Sequence, residues 1–153
     1  MHRILFICHG NICRSPMAEF VMKDLVAKRG VADGFRIESA ACRRDELGNP
    51  VHPGTRRRLA REGISCEGKV ARLLRRDDYD AFDLIVAMDE ENMRDMGRIL
   101  GSDPEGKVRK LLSFAGQDRD VADPWYTGDF DATYDDVLAG CEGLLEALES
   151  ERG

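Results

Sequence analysis

Residues 2–16 of the chain read HRILFICHGNICRSP. Residues 4–7 are apolar and rich in β-forming side chains, a pattern typical of a strand buried on both faces of a sheet. A polar turn follows this strand. Ser15 before Pro16 then predicts a helix, with Ser15 as the N-cap and Pro16 at the first helical position. The stretch therefore predicts a buried strand, a short loop and a helix in direct succession.

Strands and helices are predicted to alternate along the rest of the chain. Hydrophobic patterning predicts further strands at residues 35–39 and 83–88 with a weaker one at 107–112, and helices up to Gly30, at 55–62, after the N-cap Asp89 to about residue 100, and from about residue 131 onward. No repeat or linker divides the sequence, so one domain is expected over residues 1–153. This alternation predicts an α/β fold with a parallel sheet between helices. Ligands bind such sheets at the carboxyl ends of the strands, which points to the loop after the first strand.

The size and charge of the chain exclude several classes of protein. It has 153 residues and a formal net charge of −6, from 23 Lys and Arg against 29 Asp and Glu. An acidic chain lacks the positive surface of a nucleic-acid binder. An anionic ligand would need a local binding device, because the overall field repels it. The early apolar run, residues 4–8, is far too short to span a membrane, so no membrane insertion is predicted.

The cysteines and histidines indicate a reducing compartment and no metal site. The five cysteines form an odd set without a C-x-x-C motif, namely Cys8, Cys13, Cys42, Cys66 and Cys141. Such a set suits the cytoplasm, where a single thiol can carry out chemistry. The three histidines are scattered without the spacing of metal ligands.

The loop that joins the first strand to the first helix has the features of an anion-binding site. It supplies consecutive backbone N–H groups, and the N-terminus of the helix points at its centre. Gly10 and Asn11 can adopt the positive φ that a tight loop needs. Arg14 adds a planar guanidinium that can hold two phosphate oxygens. The loop therefore predicts binding of a phosphate-sized anion despite the negative charge of the chain.

Cys8 ends the first strand, directly beneath the predicted anion position. The N–H groups and helix dipole that favour phosphate also favour a thiolate, and the Ser15 hydroxyl can donate a hydrogen bond to the sulfur. A thiolate that faces a bound phosphorus atom is a nucleophile placed for displacement. Cys8 is therefore the predicted nucleophile.

A displacement at phosphorus also requires an acid that protonates the leaving oxygen. Residues 123–126 read DPWY, and Pro124 holds the residue before it in an extended conformation. Asp123 is therefore expected on a stiff loop, which follows the fourth strand at the same edge of the sheet as the anion loop. Trp125 and Tyr126 are expected to form an apolar rim beside it. Asp123 is the predicted general acid.

These motifs resemble those of the low-molecular-weight protein tyrosine phosphatases. The first loop matches the family's C-x5-R-S pattern, and four further motifs follow in the family's order, namely SAA at residues 39–41, GNP at 48–50, AMD at 87–89 and DPWY at 123–126. The resemblance implies a single three-layer domain, whose four-stranded parallel sheet has the order 2-1-3-4 with helices on both faces. It also implies a phosphatase without a metal or organic cofactor. Its substrate would be a tyrosine-phosphorylated protein, and a cognate tyrosine kinase is a further candidate partner.

The same resemblance implies a role for each residue of the site. Cys8 would become phosphocysteine, Arg14 would hold the phosphate, and Asp123 would act first as acid and then as base for hydrolysis. Asn11 would hold the strained loop, in part by bonding to Ser39. Substrate contacts are expected from the rest of the loop and from the rim, namely His9, Gly10, Asn11, Ile12, Cys13, Ser15, Asp45, Trp125 and Tyr126.

The chain departs from the family pattern at one wall of the substrate slot. The family commonly has an aromatic residue there, whereas this chain has Asp45, preceded by Arg43 and Arg44. A more open or more polar slot is therefore expected. A related branch that hydrolyses phosphoarginine has Thr where this loop has Ile12, so the bulkier Ile12 disfavours that substrate.

The resemblance also implies a redox reaction at Cys13, and two alternatives to a tyrosine phosphatase share part of the pattern. The resemblance implies that Cys13 forms a reversible disulfide with Cys8 and protects it from over-oxidation. A thiol-dependent arsenate reductase shares this fold and loop, but it needs further cysteines near the third strand, and residues 71–140 contain none. A phosphate- or phosphopeptide-binding module without catalysis would lack the nucleophile or the acid, and both are present. The sequence leaves the oligomeric state open.

Overall fold

The structure is a computed structural model, and it describes residues 1–152. The strands are β1 (His2–Cys8), β2 (Phe35–Ala41), β3 (Leu84–Ala87) and β4 (Val108–Lys110). The helices are α1 (Arg14–Lys28), α2 (Pro53–Arg61), α3 (Asp78–Ala81), α4 (Glu90–Leu100), α5 (Pro124–Thr127) and α6 (Phe130–Arg152). Short 3₁₀ turns lie at Ala32–Gly34 and Leu111–Ala115. Among the helices that the structure describes, none has the length and hydrophobicity that a membrane span requires.

The four strands form one parallel sheet with the order β2-β1-β3-β4, which confirms the predicted topology. In the register of the sheet, Cys8 at the end of β1 lies opposite Ala41 of β2, and Ile7 lies opposite Ala87 of β3. Because parallel strands share a direction, their carboxyl ends meet at one edge of the sheet. The loops that follow β1 and β3 therefore begin side by side.

Helices cover both faces of the sheet, as predicted. Successive residues of β1 point to opposite faces. Ile4 and Phe6 pack with residues of α1 and α6, whereas Leu5 and Ile7 pack with residues of α3 and α4. All four of these side chains have no exposed surface. Burial of one such side chain contributes about 1.5–3 kcal/mol, so this central strand is a stable base for the loop that it carries.

The first helix begins earlier than the sequence pattern predicted. Cys13 is the N-cap of α1 and makes no side-chain capping bond, so the prediction of Ser15 as N-cap was wrong. Ser15 is the second residue of the helix, and its hydroxyl bonds instead to Cys8 and Asn11. Pro16 is tolerated at the third position because first-turn N–H groups have no acceptor within the helix.

The fourth strand is shorter than predicted, and its continuation packs against the last helix. β4 ends at Lys110, and Leu111 and Leu112 are buried in the 3₁₀ turn that follows. A Cβ added at Gly143 of α6 would lie 2.1 Å from the carbonyl oxygen of Phe114, so glycine permits the close approach of helix and turn. The apolar face predicted for α6 is confirmed, because its residues are buried, namely Tyr134, Val137, Cys141, Leu144, Leu145 and Leu148.

The sequence pattern placed the start of one helix too late and did not predict two short helices. Helix α2 begins at Pro53 and not at residue 55, and His52 caps it by accepting a bond of 2.9 Å from the N–H of Gly54. Pro at the first helical position was the signal for this start. Helices α3 and α5 were not predicted, because four residues are too few to show a helical period.

Candidate active site

A cavity of about 160 Å³ lies beside the carboxyl end of β1. The structure brings the three predicted catalytic residues, Cys8, Arg14 and Asp123, together in its lining. Its walls come from the loop after β1, from residues 45–46 and from the segment around α5, and they comprise Cys8, His9, Gly10, Ile12, Cys13, Arg14, Asp45, Glu46, Asp123, Trp125 and Tyr126. Three other predicted site residues lie behind this lining, namely Asn11, Ser15 and Ser39.

The backbone of the loop presents a row of open hydrogen-bond donors. In the described part of the chain, no protein acceptor bonds to the backbone N–H groups of residues 9–15. Residues 10–15 are nevertheless buried. Buried N–H groups without a partner are rare in folded proteins. A row of them at the start of a helix is the arrangement that binds the oxygens of a phosphate-sized anion.

Asn11 gives the loop its tight turn. Its φ is +60°, and it is the one described residue other than glycine with a positive φ. The side chain compensates for this strain, because Nδ2 donates to Ser15 Oγ at 2.8 Å and to Ser39 Oγ at 2.9 Å, while Oδ1 accepts from the N–H of Arg72 at 3.2 Å. The expected bond to Ser39 is therefore present.

Gly10 could adopt a positive φ, but in the structure it does not. A Cβ at this position would lie 3.1 Å from Cγ of Glu46. The residue therefore permits a close approach between the loop and the far wall of the cavity, and only Asn11 supplies the left-handed turn.

Cys8 is held at its carbonyl oxygen and at its sulfur. The residue is 3 % exposed, and its Sγ lies 3.0 Å from Ser15 Oγ. Its carbonyl oxygen accepts from the N–H of Cys42 at 3.0 Å and from the Cys42 thiol at 3.4 Å. These bonds tie the end of β1 to the segment after β2, so the sulfur has a defined position at the floor of the cavity.

Arg14 is a buried cation with carboxylate partners. The residue is 2 % exposed, and its Nη1 donates to Asp89 Oδ2 at 2.7 Å and to the carbonyl of Val121 at 2.9 Å. Its Nη2 donates to Asp123 Oδ2 at 3.4 Å. Burial opposes the charge of the guanidinium, but Cys8, Asp89 and Asp123 together raise the pKa of Arg14 above its ordinary value. Arg14 therefore remains a cation beside Cys8.

Asp89 is the site residue that the sequence interpretation missed. It was predicted only as the N-cap of α4, and this is confirmed, because Oδ1 accepts from the N–H of Asn92 at 2.7 Å. Its second oxygen, Oδ2, is the one that holds Arg14. The available signal was its place in the sheet, since Asp89 follows β3 directly and β3 is the neighbour of β1.

Asp123 has the extended backbone predicted from Pro124, with φ −80° and ψ 114°. It caps the short helix α5, since Oδ1 accepts from the N–H of Trp125 at 3.0 Å. Its Oδ2 faces Arg14 across the cavity. Trp125 and Tyr126 stand at the rim and are 57 % and 83 % exposed. One carboxylate oxygen is therefore fixed by the backbone while the other is directed into the site.

The wall that departs from the family pattern is polar. Asp45 Oδ2 lies 2.6 Å from His9 Nε2, and both side chains line the mouth of the cavity. The Asp45 carboxylate thus holds the imidazole of His9 in place. This wall therefore combines a carboxylate with a planar ring, where an aromatic side chain is usual in the family.

Two further thiols lie near Cys8, and both are protonated near neutral pH. Burial, assisted by the negative charges of Cys8 and Asp123, raises the pKa of Cys13 to about 12. Burial and Asp95 raise the pKa of Cys42 to about 12 as well.

All five cysteines are free in the structure. Among the described residues, no group of three or more His, Cys, Asp or Glu side chains is placed to hold a metal ion.

Comparison with known proteins reveals full-length similarity to one family. The sequence model for "Low molecular weight phosphotyrosine protein phosphatase" matches residues 3–153. The low molecular weight protein-tyrosine-phosphatase YfkJ of Bacillus subtilis is 41 % identical over 154 residues, which cover 99 % of each sequence. The crystal structure of YfkJ superposes with a TM-score of 0.95 over 100 % of this chain and 98 % of that chain. The low molecular weight protein tyrosine phosphatase of Streptococcus pyogenes gives a TM-score of 0.87 at 38 % identity, over 97 % of this chain and 93 % of that chain.

Proposed function

The chain belongs to the low molecular weight phosphotyrosine protein phosphatase family, and we propose that Cys8, Arg14 and Asp123 carry out its reaction on phosphotyrosine in proteins. The observation that supports these roles is their convergence in one cavity, where the Cys8 sulfur lies beside a row of open N–H groups and a buried guanidinium. A phosphatase needs the same three elements, namely a nucleophile, an anion cradle and a proton donor.

In the first step the phosphate group enters the loop. Its three terminal oxygens accept hydrogen bonds from the backbone N–H groups of residues 9–15 and from Arg14. Arg14 is already oriented by Asp89, so little reorganisation is needed when the anion arrives. The phosphorus atom then lies between the Cys8 sulfur and the tyrosine oxygen, so the sulfur can attack from the side opposite to the leaving oxygen.

In the second step the Cys8 thiolate attacks phosphorus. The S–P bond forms while the bond from phosphorus to the tyrosine oxygen breaks, and protonated Asp123 donates its proton to that oxygen. Such a proton transfer contributes about 10²–10⁴-fold to the rate. The position of Asp123 Oδ2 supports this role, because it lies beside Arg14 in the cavity while Oδ1 is bound to the backbone N–H of Trp125.

In the third step water hydrolyses the phosphocysteine. The Asp123 carboxylate accepts a proton from the water as its oxygen bonds to phosphorus, and the S–P bond breaks. The Ser15 hydroxyl, 3.0 Å from Sγ, stabilises the departing thiolate. The products are inorganic phosphate and an enzyme with Asp123 protonated again, so the cycle closes without a metal or an organic cofactor.

The aromatic ring of the substrate would lie between the two walls of the mouth. Trp125 and Tyr126 stand on one side, and the His9–Asp45 pair stands on the other. Substrate contacts are proposed also for Gly10, Ile12 and Cys13, which line the same cavity. The bulk of Ile12 is proposed to favour phosphotyrosine over phosphoarginine.

Several broader assignments complete the proposal. A thiolate nucleophile requires a reducing environment, so we place the protein in the cytoplasm, where all five cysteines stay reduced. A tyrosine kinase that supplies the phosphoprotein substrate is the proposed partner. Cys13 is proposed to trap oxidised Cys8 as a reversible disulfide. Residues 1–153 are proposed to act as one catalytic domain.

Substitution of Cys8 tests the proposal directly. Cys8→Ser should lower turnover of a phosphotyrosine peptide by at least about a thousandfold while inorganic phosphate still binds. Cys66→Ser, the same change at a buried thiol outside the cavity, should retain turnover and serves as the matched control. Phosphoserine, phosphoarginine and arsenate form the comparison panel. Appreciable turnover by Cys8→Ser, or equal activity on phosphoarginine, contradicts the proposal.

A further inference from the structure

Glu19 is a buried carboxylate that the proposed reaction does not use. It lies four residues after Ser15 on α1 and is 4 % exposed, yet it does not line the cavity. Lys23 Nζ lies 2.6 Å from its Oε2, and Lys69 Nζ lies 3.6 Å from its Oε1. Ser39 Oγ lies 2.5 Å from the same Oε1. The carboxylate is thus placed between two ammonium groups and one hydroxyl.

The orientation of the Asn11 amide determines the direction of the hydrogen bonds around it. Its Oδ1 faces the backbone N–H of Arg72, which can only donate. The reversed amide would bring two donors together, so Nδ2 must face the other way. Both N–H bonds of Nδ2 are then directed to hydroxyl oxygens, one on Ser15 and one on Ser39.

Each of these serines has one hydrogen to donate, and that hydrogen cannot point at Asn11. The Ser39 hydrogen goes to Glu19, because an ionised carboxylate only accepts. In the described part of the chain, the one other partner of Ser15 Oγ is Cys8 Sγ. The Ser15 hydrogen is therefore directed at the sulfur. A sulfur that accepts such a bond is favoured as the thiolate.

We propose that Glu19 is a positioning residue for Cys8, whose carboxylate acts through Ser39 and Asn11 to direct the Ser15 hydroxyl at the sulfur. This inference rests on the proposed role of Cys8 as nucleophile. Without the carboxylate, the Ser39 hydroxyl is free to rotate, and the hydrogen bond from Asn11 Nδ2 to Ser39 Oγ weakens. The Ser15 hydroxyl is then free to rotate its hydrogen away from Cys8. The sulfur loses its donor.

The test is the pH profile of Cys8 alkylation by iodoacetamide, measured on the full chain. Glu19→Gln should displace the profile to higher pH, with alkylation about three- to tenfold slower below its midpoint. The charged and titratable groups around Cys8 (Arg14, Asp123, Cys13 and Cys42) are the same in every variant, so they cancel in the comparison. Asp24→Asn removes an equal charge from the same helix but away from Ser39, and it should leave the profile unchanged.

A double-mutant cycle separates positioning from simple packing. If Glu19 acts through Ser39, then Glu19→Gln should change nothing further in a Ser39→Ala background, whereas independent effects would multiply. Near-UV circular dichroism verifies that each variant is folded. Should Glu19→Gln not fold, Glu19→Asp keeps the charge but withdraws the carboxylate from Ser39, and it should displace the profile in the same direction.

The possible results distinguish failure of the Glu19 proposal from failure of the proposed function of Cys8. An undisplaced profile in the folded variant, or multiplied effects in the cycle, overturns the role of Glu19. If the carboxylate were purely structural, Glu19→Gln would lower the free energy of unfolding and leave the alkylation profile in place, and this result also overturns the role of Glu19. An active Cys8→Ser enzyme would instead overturn the proposed function, whatever Glu19 does.

Discussion

Removing Asp89 separates two functions of one carboxylate. Asp89 Oδ1 caps α4 through the N–H of Asn92 at 2.7 Å, and Oδ2 holds Arg14 Nη1 at 2.7 Å. Asp89→Ala removes both bonds. Asp89→Asn keeps the cap, because Asn caps helices as well as Asp does, but it removes the charge that faces Arg14. The difference in the free energy of unfolding between the two variants therefore measures the contribution of the cap. The loss in Asp89→Asn relative to wild type measures the contribution of the ion pair.

The expected losses follow from this geometry. Loss of the cap costs about 1 kcal/mol, and loss of a hydrogen bond between charged groups costs about 1.5–3 kcal/mol. The side chains of Arg14 and Asp89 are 3 % and 18 % exposed, so solvent screens the pair only in part. Asp89→Asn should therefore lower the free energy of unfolding by about 1.5–3 kcal/mol and Asp89→Ala by about 2.5–4 kcal/mol.

The same substitutions should weaken substrate binding. Arg14 would keep only the carbonyl of Val121 and the more distant carboxylate of Asp123 as anchors. We expect the KM for a phosphotyrosine peptide to rise about tenfold, which corresponds to about 1.4 kcal/mol of lost orientation.

The assays are urea unfolding followed by circular dichroism at pH 7 and steady-state kinetics. Asp83→Asn is the matched control, since Asp83 also pairs with an arginine, Arg3, but on the exposed surface. It should change stability little and kinetics not at all. If Asp89→Asn has wild-type stability and wild-type KM, while Asp89→Ala loses only the cap, then Asp89 does not hold Arg14 and the reasoning is wrong.

Three further predictions concern the acid, the mouth and the second thiol. Asp123→Asn should slow hydrolysis of phosphotyrosine by about 10²–10⁴-fold but affect an aryl phosphate with a very good leaving group much less; equal losses on both substrates would count against a general acid. Asp45→Ala frees the imidazole of His9 and should raise the KM for a phosphotyrosine peptide severalfold with little change in kcat, and a loss confined to kcat would contradict this account. Cys13→Ser should keep near-normal turnover but fail to recover after peroxide followed by reductant, as judged by residual activity; full recovery would remove its protective role.

The fold was predictable because its signals are local. The apolar run at residues 4–7 and the apolar face of α6 report burial within a few residues of chain, and both predictions are confirmed. The extended backbone of Asp123 follows from the ring of Pro124 in the same way. Where the signal is shorter than a helical period, as in α3 and α5, the pattern failed.

The start of α1 shows why local chemistry was sometimes misleading. Ser15 before Pro16 satisfies every local rule for an N-cap, but the same hydroxyl is needed by Cys8 and Asn11 once the loop folds back on itself. The contacts of Asn11 with Ser39 and Arg72 span 28 and 61 residues of chain. These tertiary partners outcompete the cap, because they satisfy polar groups that would otherwise be buried without a bond.

The residue types of the chain sufficed to specify the α/β class, the anion loop and the three groups proposed for catalysis, because strand period, turn chemistry and motif spacing are written in neighbouring residues. Folding alone brought Asp89 to Arg14, His9 to Asp45 and Glu19 to Ser39. Asp89 and Arg14 are 75 residues apart, and no periodicity extends over such a distance. A hydrogen bond forms only when its two atoms lie about 3 Å apart. The carboxylate partner of Arg14 beside Cys8 therefore depends on how the sheet aligns the ends of its strands.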